Sequence, residues 1–215
     1  MMKKINLVVA GFLLLFAGCT SSKITTSWKA ENITPKAYGK ILVLGLINEP
    51  DRTIREKMEE HIVADLKALG YTAVCSCDEF NPKTFENLNE QQSLDKLSKS
   101  GIDAVITIVL LDKTKERYYV PGRVQYSPYY IYQNRFFGYY RTMYDRVYTP
   151  GYYAEDTKYF WESNFYELGE KHLLYSAQSE SFDPLTTQTL AHEYGQMLVK
   201  DMVSKNVLKQ QTAIK

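Results

Sequence analysis

Cysteine is scarce: three residues in 215, at positions 19, 75 and 77, cannot build the disulfide framework of a small secreted module. Histidine is equally scarce, with only His61, His172 and His192, which leaves little for a multi-histidine metal centre. His192-Glu193 opens like a zinc-protease helix, yet Gln196 stands where the second histidine is needed. Neither sign of charge dominates. The 26 basic side chains face 25 acidic ones, and a formal net charge of +1 creates no field for a polyanionic partner. There is no Gly-x-Ser-x-Gly elbow, no phosphate-cradling glycine loop and no Gly-x-Gly-x-x-Gly behind a strand. From its residues the chain reads as a non-enzyme, with no cofactor and no metal site.

What is present begins at the N-terminus. Lys3 and Lys4 precede a mostly apolar run from Ile5 to Phe16, closed by the small residues Ala17-Gly18 before Cys19. That is the layout of a cleaved export signal, and the run falls short of the roughly 20 residues a spanning helix needs. Phe16-Ala17-Gly18-Cys19 resembles the lipobox of bacterial lipoproteins. The resemblance implies loss of residues 1–18, acylation of Cys19 and attachment to a membrane through its acyl chains. Thr20 follows the cysteine where lipoproteins of the inner membrane usually carry Asp, which by resemblance favours the outer membrane, facing the periplasm. Losing Lys3 and Lys4 with the signal takes the formal charge from +1 to −1.

The rest reads as one α/β (α+β) domain over residues 40–208, between a lipid-bearing tether (19–39) and a frayed tail (209–215). As a flexible coil the tether spans about 25 Å, although Ile24 to Trp28 could add an edge strand. Lys40 to Leu46 is a short apolar run of the kind buried on both faces of a sheet. Thr53-Ile54-Arg55-Glu56 has the form of a capping box, and Ile54, Met58, Ile62, Leu66 and Leu69 follow at helical spacing. Glu56, Glu59 and Glu60 are assigned to the solvated side of that helix. Tyr71 to Cys75 reads as a strand, Gln91 to Ser100 as a helix and Ile102 to Leu111 as a strand, so the order is β-α-β-α-β with a parallel sheet. On one strand, Cys75 and Cys77 would point to the same face at a separation unsuited to an ordinary disulfide, and they read as two thiols.

Past an insertion at 117–153, Asp156 to Leu168 and His172 to Phe182 alternate as an antiparallel hairpin around Gly169-Glu170-Lys171. Thr157, Tyr159, Trp161 and Phe165 share a face interrupted by Ser163, and Leu173, Tyr175 and Ala177 share one on the partner strand. Asp183-Pro184 reads as the start of a last helix whose buried face is Leu190, Tyr194, Met197, Leu198 and Met202.

Lys40 to Gly45, Arg55 to Glu60, Gly70 to Val74, Gly101 to Val105, Val120-Pro121-Gly122 and Leu174 to Glu180 together resemble an uncharacterised family of Gram-negative envelope lipoproteins. The likeness covers nearly the whole mature chain and consists of sheet and turn signatures. Where that family often has Trp, this chain has Tyr175. The layout is also similar, more distantly, to the small α/β domains of the TolB N-terminal region, the curli-secretion lipoprotein and the penicillin-binding-protein activator lipoproteins. Such an architectural likeness transfers no residue-level role.

The segment Tyr118 to Tyr153 holds 12 of the 18 tyrosines, and five arginines (117, 123, 135, 141 and 146) face one acid, Asp145. Tyrosine offers a flat apolar face with a polar tip, and arginine a planar fork that stacks on rings and grips carboxylates. The candidate binding residues are Tyr118, Tyr119, Arg123, Tyr129, Tyr130, Tyr132, Arg135, Phe136, Tyr139, Tyr140, Arg141, Tyr144 and Arg146. Four uses are open: packing on the chain's own domain, binding an envelope protein or a second copy, stacking on peptidoglycan sugars, and nucleic acid, which the compartment and charge disfavour. The expectation is a periplasm-facing lipoprotein acting as a non-catalytic binding or assembly factor. A glycan-binding lipoprotein is the alternative, and a weak hydrolase built around a histidine and a carboxylate is the more distant one.

Overall fold

A computed structural model describes residues 21–80, 84–120 and 151–211. Among these residues six strands and four helices follow in the order β1 (Ser22–Lys29), β2 (Ile41–Leu46), α1 (Thr53–Ala68), β3 (Ala73–Cys75), α2 (Ser76–Glu79), α3 (Glu90–Lys99), β4 (Ala104–Val120), β5 (Tyr152–Glu167), β6 (His172–Phe182) and α4 (Thr187–Ser204). The strands form one mixed sheet in the order β1-β6-β5-β4-β2-β3. β2 pairs in parallel with β3 and β4, whereas β6 pairs antiparallel with both β5 and β1. The expected α/β (α+β) architecture is therefore present, with helices packed on the sheet. Two compact units divide the chain: residues up to 113 with those from 158 onward, and Thr114–Thr157.

The larger unit is built on two apolar layers. Ile41, Val43, Ile106 and Ile108 on one sheet face meet Met58, Ile62 and Leu66 of α1 and Leu190, Tyr194, Leu198 and Met202 of α4. Leu42 and Val105 on the other face meet Leu97 of α3 and Ile102. The two-sided burial explains why β2 is a continuous apolar run and not an alternating one. Each fully buried aliphatic or aromatic side chain contributes about 1.5–3 kcal/mol relative to exposure. Trp161, Phe165 and Tyr175 extend the larger core under β5 and β6. Ser163 interrupts the apolar face of β5 because its hydroxyl bonds the Tyr194 hydroxyl at 2.7 Å, so this break in the pattern is a satisfied polar pair.

Several local expectations are corrected. Ser22–Lys29 is a strand bonded to β6, so these 8 of the residues read as a tether belong to the sheet, as the edge-strand alternative had it. The Thr53 capping box does not form: Arg52 occupies the cap without a side-chain bond, and Asp51 Oδ1 accepts from Thr53 N at 2.9 Å instead. α4 begins after Thr186, whose Oγ1 accepts from Thr189 N at 3.0 Å, and not at Asp183-Pro184; Asp183 turns with a positive φ of 41°. A register shift at Phe165/Tyr166 sends Leu174 into the core where Leu173 was expected. Residues 209–211 are docked, not frayed, since Lys209 N donates to the Tyr71 hydroxyl and Gln211 N to the Leu69 carbonyl.

Candidate functional site

Of the expected binding residues, the structure places Tyr118 and Tyr119. Cys19, Arg123, Tyr129, Tyr130, Tyr132, Arg135, Phe136, Tyr139, Tyr140, Arg141, Tyr144 and Arg146 lie outside the described residues. The expected insertion boundaries fall inside strands, because β4 runs to Val120 and β5 starts at Tyr152. In the smaller unit these strand ends carry exposed tyrosines: Tyr118 and Tyr119 are 48% and 55% exposed, Tyr152 and Tyr153 64% and 68%. Side chains alternate along a strand, so adjacent tyrosines supply both faces. The Tyr119 and Tyr153 rings meet edge to face at 5.4 Å, and the Arg117 guanidinium lies 5.7 Å from the centre of the Tyr153 ring. Lys115 bridges to Glu155 at 2.7 Å, and Tyr118 donates to Asp156 at 3.4 Å. The Tyr119 hydroxyl occupies the space a side chain at position 151 would need, which only Gly151 leaves open. An ion pair this exposed is screened by solvent and adds little, and an aromatic pair contributes about 0.5–1.5 kcal/mol beyond area, so the patch is arranged but not locked.

The histidines separate. His172 is exposed and lies 3.3 Å from Glu170. His61 on α1 and His192 on α4 meet edge to face with ring centres 5.4 Å apart, and their Nε2 atoms contact the amides of Gln188 and Gln196. Asp65 lies in the same interface, its carboxyl pushed upward by burial while His192, His61 and Lys200 pull the other way. Gly195 admits this carboxylate, since a Cβ there would stand 2.9 Å from Asp65 Oδ2.

A third cluster escaped the sequence reading. Glu59 is fully buried, not solvated as expected. Its Oε1 accepts from Gly45 N at 2.8 Å and Ser76 Oγ at 2.9 Å, and its Oε2 from Cys77 N at 3.2 Å. Arg55 Nε stands 4.0 Å away, one helical turn back. Burial raises the Glu59 carboxyl above the usual range, against the lowering effect of these bonds and of Arg55. Gly45 makes the approach possible: a Cβ there would fall 2.7 Å from Arg55 Cγ and 2.9 Å from Glu59 Oε1.

Beside Glu59, Cys75 and Cys77 are joined as a disulfide, not two thiols. The strand ends at Cys75 and the chain turns into α2, so Cys77 leaves the strand geometry. The Cα atoms come to 5.2 Å, inside the range a disulfide spans. Cys75 is 2% exposed and Cys77 reaches solvent. The donor atoms of Glu59, Cys75 and Cys77 lie within 4.8 Å of one another, a spacing that could hold a cation. The bonded sulfurs are not free thiolate ligands, and the Arg55 charge opposes a cation. The signal available in the sequence was the Cys-x-Cys spacing together with a glutamate one position past the buried Met58.

Comparison with known proteins leaves these residues to speak for themselves. No family model matches the chain, and no curated protein matches it. Among solved structures the chain is similar to the PelC dodecamer from Paraburkholderia phytofirmans, at 12% identity over 86% of this chain and 99% of that one, with a TM-score of 0.44. It is also similar to the lipoprotein GNA1162 from Neisseria meningitidis, at 16% identity over 79% of this chain and 98% of that one, with a TM-score of 0.40. Likenesses this weak carry no argument about function.

Proposed function

We propose that this chain is an envelope lipoprotein, anchored in the outer membrane through acylated Cys19 and facing the periplasm, that acts without catalysis as a binding or assembly factor through its tyrosine-rich segment. The observation that carries the reading is the patch of Tyr119, Tyr153 and Arg117, a set of side chains enriched where proteins bind one another. No helix among the described residues is long and apolar enough to cross a membrane.

The early start of β1 sharpens the anchor. Ser22 is three residues from Cys19, a reach of at most about 11 Å in place of the 25 Å of a free coil. Glu193 of α4 holds this junction by accepting from Ser21 N and Ser21 Oγ at 2.7 and 2.6 Å. The neighbouring surface carries Phe182, 47% exposed, with Lys158 over its ring, and Leu185, 91% exposed. That edge of the sheet would rest against the bilayer.

Two measurements test the reading. Palmitate incorporation and membrane fractionation of the full chain should both be lost on Cys19→Ala. Crosslinking in cells should capture an envelope protein or a second copy with the intact chain, and lose it when residues 123–148 are replaced by a Gly/Ser loop or when Tyr119 and Tyr153 become Ala. Retention on purified peptidoglycan without any protein crosslink would replace this reading with the glycan-binding one.

A further inference from the structure

We propose that Cys75 and Cys77 form a thiol–disulfide exchange site, open at Cys77 to an external thiol, in which Glu59 carries the proton for Cys75. The site sits at the carboxyl ends of the parallel strands β2 and β3, the end of an α/β sheet where ligands are generally received. Cys77 is the accessible sulfur and Cys75 the buried one, so an incoming group meets Cys77 first. Cys75 Sγ lies 3.0 Å from Glu59 Oε2, hydrogen-bond distance for a sulfur. A thiol supplies the proton for that contact in the reduced chain. In the disulfide only the carboxyl can supply it, and burial favours the protonated carboxyl. The cluster thus has a place for the proton in both redox states.

The chemistry balances. An external thiolate attacks Cys77 Sγ, the Cys75–Cys77 bond breaks, a mixed disulfide forms on Cys77, and the electron pair stays on Cys75 Sγ. Glu59 gives that sulfur its proton and becomes a carboxylate held by Gly45 N, Ser76 Oγ and Cys77 N beside Arg55. A second external thiolate attacks the external sulfur of the mixed disulfide, which releases Cys77 as thiolate and an external disulfide. Two external thiols are oxidised as the protein disulfide gains two electrons. In reverse, the Glu59 carboxylate takes the Cys75 proton, and the Cys75 thiolate attacks a mixed disulfide at Cys77. Among the described residues, the charged and titratable groups that face the carboxyl are Arg55 on its own helix and the two cysteines across from it, and β2 presents the Gly45 backbone.

The test uses the full chain, purified in detergent and kept folded, equilibrated with glutathione redox pairs and, separately, with reduced thioredoxin as a protein dithiol. Thiols are trapped by alkylation and counted by mass. The expected result is reversible two-thiol reduction without denaturant. Cys75→Ser should accumulate one glutathione adduct, on Cys77, and Cys77→Ser should accumulate none. Reduction by both reagents identifies small and protein thiols as partners; reduction by thioredoxin alone restricts the site to protein thiols. Glu59→Gln should slow exchange about tenfold or more and flatten its pH profile, and Glu59→Asp should restore part of both. A disulfide that opens only on unfolding, adducts on both single-cysteine variants at equal rates, or a reduced chain that holds one zinc ion and resists reoxidation would overturn the proposal.

Discussion

Replacing Tyr194 with Phe and Ser163 with Ala, singly and together, probes the polar pair inside the larger core. Ser163 is 1% exposed and Tyr194 is 1% exposed, and their hydroxyls meet at 2.7 Å. Each single replacement strands one buried hydroxyl without this partner, at a cost of about 1–3 kcal/mol. The double replacement removes both hydroxyls, so its cost should fall below the sum of the singles by about 1 kcal/mol. For a chain of this size each kcal/mol moves the thermal midpoint by about 2–4 °C. Burial pushes the Tyr194 hydroxyl up to about 12, so it stays neutral and the coupling should not change with pH below that. Trp161, whose ring centre is 5.5 Å from that of Tyr194, reports unfolding by fluorescence during urea titration. Additive losses, with coupling under about 0.3 kcal/mol, would show that the two hydroxyls do not depend on each other.

Three further outcomes follow from the same physics. Because burial raises the Glu59 carboxyl in the folded chain, its favourable contribution is full below the usual value of 4.5 and is lost as pH rises through the folded value. Glu59→Gln should therefore gain stability relative to the parent as pH rises from 4.5 through the folded value, with no further gain above it, and parallel urea midpoints across that window would refute the assignment. Gly45→Ala places a Cβ against Arg55 Cγ and Glu59 Oε1 and should destabilise by about 1–3 kcal/mol, read as a lower urea midpoint with unchanged slope. Glu193→Ala removes the acceptor of both Ser21 bonds and should speed amide exchange at the start of β1 while leaving the centre of β6 protected; equal exchange in both variants would mean β1 is held by its ladder alone.

Local periodicity carried the frame of this protein. The apolar run at Ile41 to Leu46, the spacing of Met58, Ile62 and Leu66, and the burial of Trp161, Phe165, Tyr175 and Ala177 read correctly, because burial on a sheet face or helix stripe is written in neighbouring residues. Tyr175 also shows how an unusual residue is accommodated: its hydroxyl donates to Asp201 at 2.6 Å, a polar contact an apolar side chain would lack. The helix starts were less legible, since the Thr53 and Asp183 patterns lost to Asp51 and Thr186, whose side chains had the better line to an unbonded backbone amide.

The sequence by itself determined the candidate anchor at Cys19, the order of the strands and longer helices from β2 onward, and the crowding of tyrosine and arginine between 117 and 153. Only the tertiary structure decided that Ser22–Lys29 pairs with a strand some 150 residues away, and that Glu59 is enclosed beside a Cys75–Cys77 disulfide. The physical reason is the same for both. Strand pairing and the burial of a charge depend on groups distant along the chain, here β6 for the first and Gly45, Ser76 and Cys77 for the second, which no window of adjacent residues contains.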